Sequence, residues 1–122
     1  MKLDDLAFPA DNSITEYKLD DYEGETDMEL PEKYNISPSY IHQFQLESKS
    51  EDEKESTTIE ALYIGNLDSI SQDTIILYCH GQADHMDFYW PRAKLLANCG
   101  GKNRFGVLMM DYRGYGLSEG SP

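Results

Sequence analysis

Residues 74–118 read TIILYCHGQADHMDFYWPRAKLLANCGGKNRFGVLMMDYRGYGLS. The stretch opens on an apolar run, Thr74-Ile75-Ile76-Leu77-Tyr78-Cys79, of strand length and rich in β-formers. The run stops at His80-Gly81-Gln82-Ala83. A helix-like segment follows and ends near Cys99-Gly100-Gly101. A second apolar run, Phe105-Gly106-Val107-Leu108-Met109-Met110, leads into Asp111-Tyr112-Arg113-Gly114-Tyr115-Gly116-Leu117-Ser118. Strand, helix and strand in this order predict a βαβ unit with a right-handed crossover. Neither run alternates, so both faces of each strand are expected to be covered, as in the centre of a parallel sheet.

The helix is expected to begin between Asp87, a good N-cap, and Pro91, a residue suited to the first helical position. Phe88, Leu95 and Cys99 form one row, and Tyr89, Ala93 and Leu96 its neighbour, giving a wide apolar stripe. Gly100-Gly101 supplies a left-handed C-terminal cap.

Upstream, residues 40–46 (YIHQFQL) and 57–64 (TTIEALYI) alternate around a polar loop, SKSEDEKES, and predict a β-hairpin. Residues 15–19 (TEYKL) alternate too and read as a short edge strand, with a turn at 20–24. Residues 1–37 are expected to be an acidic extension that wraps the domain, and residues 38–122 a partial α/β domain.

The βαβ unit resembles the first half of an α/β-hydrolase. In that family the third strand ends in a His-Gly loop and the fourth in Asp-x-Arg-Gly-x-Gly-x-Ser. Here these are His80-Gly81 and residues 111–118. The nearest branch by resemblance is the serine hydrolases with a His-Gly-x-Ala loop, many of them esterases, thioesterases or lipases. The antiparallel hairpin also fits the order of that fold. A complete domain of the family is longer than 122 residues, so the chain is expected to be its N-terminal part, stopping before the nucleophile elbow. Alone, such a piece would leave apolar faces and strand edges uncovered, a liability for aggregation.

The resemblance assigns roles. Acyl hydrolysis needs backbone N–H groups aimed at the developing oxyanion, one of them from the loop after the third strand. The donor is placed at the Gln82 amide, with Ala83 second. His80 is then structural and orients the loop through its ring nitrogens, while Gly81 permits the tight turn. Asp111 ends a strand where sites in α/β sheets gather, but in the family the catalytic acid follows the nucleophile. Asp111 is therefore expected to fix the loop as an acceptor. Gly114 and Gly116 allow positive φ, and Arg113 can pair with carboxylates or carbonyls.

Ser118 lies in Gly116-Leu117-Ser118-Glu119-Gly120, which fits Gly-x-Ser-x-Gly. A nucleophile elbow, however, is a sharp turn directly between strand and helix. Here the strand ends near Met110, and no helical pattern follows. Ser118 is expected to be a supporting residue, with the catalytic Ser, Asp and His lying beyond Pro122.

Other chemistries fit less well. His80, Asp84, His85 and Asp87 match no standard zinc spacing, so no metal is expected. Gly114-x-Gly116 has Glu119 where a dinucleotide fingerprint needs its third Gly, so no cofactor is expected either. Residues 1–60 hold 17 Asp or Glu and 5 Lys, within a chain of net charge −13. That balance argues against nucleic acid and against anionic lipid. No apolar run approaches the roughly 18 residues of a membrane span. Cys79 and Cys99 read as buried free thiols, which favours a reducing, cytoplasmic location. Residues 1–5 (MKLDD) start like a signal, but acids follow at once and no apolar h-region appears; a signal or lipid anchor upstream of Met1 stays open.

The function the resemblance implies is acyl transfer to water on a small-molecule acyl substrate, in the whole protein. Two alternatives remain. One is a non-catalytic binding module or half of a split enzyme. The other is a different reaction on the same fold, with an Asp nucleophile.

Overall fold

The computed structural model describes residues 14–49, 56–81, 84–102 and 104–119. It holds a mixed four-stranded sheet with one α-helix packed on it. The strands are β1 (Ile41–Ser48), β2 (Thr57–Ile64), β3 (Ile75–Tyr78) and β4 (Gly106–Met110). The helix α1 (Met86–Ala97) connects β3 to β4. The sheet order is β1-β2-β4-β3. β1 and β2 are the antiparallel hairpin, with Ile41 opposite Ile64 and Leu46 opposite Ile59. β2 and β4 are antiparallel, whereas β3 and β4 are parallel. All four strands lie within a residue or two of where the alternating and apolar runs predict them.

Alternate side chains of a strand face opposite sides, so each strand contributes one row to the helix side. Leu62 and Ile64 of β2 and Val107 and Met109 of β4 form that row. They pack against Met86, Trp90, Ala93 and Ala97 of α1. The helical residues recur at spacings of three and four, as a single buried stripe must.

Of the expected stripe, Ala93 is buried and Tyr89 and Leu96 pack against the core, whereas the other row departs from it. Phe88 and Leu95 are only half-buried, and Cys99 is exposed. The buried face instead includes Asp87 and Lys94. The reason lies in residues 14–40, which run across α1 in three short 3-10 turns, Leu19–Asp21, Glu32–Tyr34 and Pro38–Tyr40. The Asp87 carboxylate accepts the Lys18 and Leu19 amides, at 3.0 and 2.6 Å. Lys94 donates to Asp20 at 2.6 Å and to Asn35 at 2.8 Å. Arg92 meets Asp27 at 3.0 Å, and Trp90 donates to Asp20. Asp87 and Lys94 are thus covered and satisfied by the acidic segment.

Three further expectations are corrected. Residues 15–19 form no strand: Leu19 takes φ 53°, and its amide is held by Asp87. The helix starts at Met86 with His85 as N-cap, whose ring accepts from the Asp87 amide at 3.2 Å. Asp87 does not cap because its carboxylate already holds two amides of the crossing segment, and Pro91 lies inside the helix. Cys79 and Cys99 are both exposed, since each stands just past the end of its element. Gly100 takes the left-handed φ expected of it, 73°, but the helix is capped by Asn98, whose amide donates to the Lys94 carbonyl at 3.1 Å.

Nor is β3 covered on both faces. Ile76 and Tyr78 lean on the helix-side core, but Ile75 and Leu77 are 40% and 56% exposed. They lie on the sheet face opposite α1, beside a cleft of about 260 Å³ lined by Phe44, Tyr63, Ile70 and Leu108 among others. Leu77→Thr is expected to leave stability within about 0.5 kcal/mol, as for a surface change. It should also lower the fluorescence of bound ANS. Unchanged emission would mean that the dye binds elsewhere.

Candidate functional site

Because β3 and β4 are parallel neighbours, their carboxyl ends open on the same side of the sheet. Sites in α/β sheets collect there. The two motifs singled out in the sequence therefore meet: His80 follows β3, and Asp111 follows β4. His80 Nε2 lies 2.8 Å from Asp111 Oδ1, and both side chains are wholly buried. His80 Nδ1 lies 2.7 Å from the Gly81 carbonyl oxygen.

The Asp111 carboxylate takes further donors. The Tyr17 hydroxyl donates to Oδ2, and so does the Met86 amide, at 3.2 Å. One carboxylate thus ties together β3, β4, the first turn of α1 and the N-terminal segment. Burial, and then the negative charge of Asp111, pushes the Tyr17 hydroxyl far above the usual phenol range. Tyr17 also accepts the Leu117 amide at 3.0 Å.

Aromatic rings enclose the His80 ring. Tyr89 stacks on it at 4.7 Å between centroids, and Tyr112 lies at 4.5 Å on a tilted plane. The Tyr112 hydroxyl donates to the His80 carbonyl at 2.5 Å. Burial pushes that hydroxyl up to about 12. A Cβ at Gly81 would stand 2.7 Å from the Tyr89 hydroxyl, so a side chain there would make the ring stacked on His80 shift. Gln82 and Ala83, the expected oxyanion donors, lie outside the described residues.

Residues 111–119 curl back onto β2. Gly114 and Gly116 take φ of 79° and 51°, a region L-residues avoid. Arg113 stands between Tyr112 and Gly114, half-buried. Ser118 is buried: its hydroxyl donates to the Asp111 carbonyl at 2.6 Å and accepts the Glu60 amide at 2.9 Å. Glu119 accepts from Thr58, and those bonds hold its carboxyl below the ordinary range. Ser118 is therefore a clasp between the loop and β2. Its proton is committed to a carbonyl, and the buried ring of His80 is committed to Asp111 and Gly81.

The four residues weighed as metal ligands are not brought together as a set. His80 holds Asp111, His85 caps α1, and Asp87 holds the backbone of the N-terminal segment. Asp84 takes a left-handed φ of 66° in the loop before the helix. Among the described residues no group of three ligating side chains converges, and no helix is long and apolar enough to cross a membrane.

Sequence reasoning missed Tyr17, whose contact with Asp111 spans 94 positions. No local pattern marks such a residue. The one available hint was an aromatic side chain in an otherwise acidic stretch.

Comparison with known proteins returns partial likenesses. No family model matches the chain. A stretch of 71 residues is 32% identical to the "Uncharacterized protein YfhR" of Escherichia coli strain K12. The same figures hold for the protein of that name in Escherichia coli O157:H7. The match covers 57% of this chain and 24% of the relative, so the chain spans about a quarter of its relative's length. No solved structure matches.

Proposed function

We propose that this chain is the N-terminal part of a serine hydrolase of α/β-hydrolase type. It would act on small-molecule acyl substrates through an acyl-enzyme released by water. The observation that carries the reading is the buried His80–Asp111 contact, which joins the His-Gly loop to the Asp-x-Arg-Gly loop at the carboxyl ends of parallel neighbours. Such a frame suits a loop whose amides must be held still before charge develops on the substrate. Residues 80–83 supply the oxyanion loop in this reading, and residues 111–118 support it. The nucleophile and its base belong to later strands of the whole protein. The acidic surface suits neither nucleic acid nor anionic lipid as a partner, and acyl transfer of this kind needs no cofactor.

A non-catalytic module is the second reading. It is favoured by the commitment of the Ser118 hydroxyl to the Asp111 carbonyl and the Glu60 amide. A fluorophosphonate probe on the whole protein separates the two. Labelling of a serine beyond residue 122 supports the hydrolase, whereas absence of labelling supports the module. An Asp at the elbow after the next strand would instead assign the alternative chemistry.

Ser118→Ala is expected to cost about 1–3 kcal/mol, since it leaves the Glu60 amide buried without its acceptor. Turnover should stay within roughly tenfold, whereas loss of a true nucleophile costs on the order of a million-fold. Labelling of Ser118 itself by the probe would overturn its assignment as a clasp.

A further inference from the structure

The N-terminal segment is gripped at three consecutive residues. The Asp87 carboxylate accepts the Lys18 amide on both oxygens at 3.0 Å and the Leu19 amide at 2.6 Å. One residue upstream, the Tyr17 hydroxyl donates to Asp111 Oδ2 and accepts the Leu117 amide. Burial keeps the phenol protonated at neutral pH, so one hydroxyl has a proton for Asp111 and a lone pair for Leu117. Gly116 packs on the same hydroxyl, since a Cβ there would stand 2.5 Å from it. Tyr17 thus joins the segment to the loop of residues 111–118 across 100 positions of chain.

The mounting is largely polar. Further contacts with α1 are the bonds of Asp20 to Lys94 and Trp90 and the pair of Asp27 with Arg92. Water replaces such partners with little net loss, unlike buried apolar area. Leu19 holds φ 53°, a conformation that leucine keeps only while its surroundings impose it. Tyr17 and Leu19 are half-buried, whereas Ile36 enters the core. The segment is therefore tethered at its far end and weakly seated upstream of it.

We infer that residues 14–22 form a strap that docks and lifts as a unit, and that Tyr17 makes the order of the loop at residues 111–118 conditional on its docking. Docked, the strap gives the Leu117 amide its acceptor and Asp111 one of its donors. Lifted, it leaves both to water and releases Gly116. Coupling of this kind is reciprocal. A molecule that orders the loop draws the strap down, and a partner that captures residues 14–22 loosens the loop. The coupling stands apart from the hydrolase reading; only the reaction it would regulate depends on that reading.

Native-state hydrogen exchange of the whole protein, followed amide by amide by nuclear magnetic resonance, tests this without a substitution. The Lys18, Leu19 and Leu117 amides are expected to open in one step, with the β2–β4 ladder still closed. Opening only together with the ladder would overturn the strap. Protection of Leu117 outlasting that of Lys18 and Leu19 by more than about tenfold, the worth of a hydrogen bond to a charged group, would overturn the coupling. Asp87→Ala gives a second measurement, because it removes the acceptor of the strap amides. Exchange at Leu117 is expected to quicken by about tenfold or more. In the Tyr17→Phe protein the same substitution should leave Leu117 unchanged, since the connection is already cut. An equal effect in both backgrounds would carry the coupling through α1, whose Met86 amide also meets Asp111, and would overturn the role of Tyr17. No effect in either would overturn the coupling itself. No substrate is involved, so failure of the fluorophosphonate probe to label counts against the hydrolase reading alone.

Discussion

Asp111→Ala is expected to be among the most damaging single substitutions, lowering stability by about 3–5 kcal/mol, as when one partner of a buried, hydrogen-bonded pair is removed. Truncation leaves His80 Nε2, the Tyr17 hydroxyl and the Met86 amide without the partner they share. The tyrosine hydroxyl can rotate to adapt, whereas the backbone amide cannot. A buried donor is left unmet, and four segments of chain lose their common anchor. Urea denaturation of the two proteins measures the difference. A loss below about 1 kcal/mol, the net worth of one ordinary hydrogen bond, would show that Asp111 does not hold the segments together.

Gly116→Ala should act on the same anchor from the other side. Gly116 has φ 51°, where a Cβ costs roughly 1–2 kcal/mol in the backbone alone. The larger effect is steric. A Cβ would stand 2.0 Å from Asp111 Oδ2 and 2.5 Å from the Tyr17 hydroxyl. Asp111 is wholly buried and cannot swing clear without releasing His80. The loss is expected to exceed about 3 kcal/mol, combining backbone strain with a broken buried pair. Gly101→Ala serves as the control, because its Cβ would meet nothing within 4 Å despite a φ of 126°. Similar melting curves for the two variants would reduce Gly116 to a simple turn residue.

The strands were legible because their patterns are local. Period-two alternation marked β1 and β2, and unbroken apolar runs marked β3 and β4. The buried side of α1 was not legible in the same way. Its pattern was read as one helix against one sheet, whereas a second layer of chain lies on Asp87 and Lys94. A charged residue reads as solvent-facing unless its distant partner is known. Resemblance to two family motifs, one at each strand end, pointed to His80 and Asp111, but not to a contact between them. Their meeting follows from β3 and β4 being adjacent and parallel, a property of topology rather than of either motif. Tyr17 was out of reach altogether, since nothing near it in the chain reveals that its hydroxyl lands on Asp111.

The strand order has a consequence for biosynthesis. β4 lies between β2 and β3, although it leaves the ribosome after both. The β1–β2 hairpin can pair as soon as it emerges. β3 cannot, because β4 is its sheet neighbour among the described strands. Gly106 follows Tyr78 by 28 positions, so at about 5–20 residues per second β3 waits roughly 1–6 seconds for translation to deliver its partner. Throughout that interval an apolar tetrapeptide, Ile75–Tyr78, is carried with both backbone edges open. Elongation speed across α1, rather than the stability of the finished sheet, then sets how long that apolar segment stays unpaired.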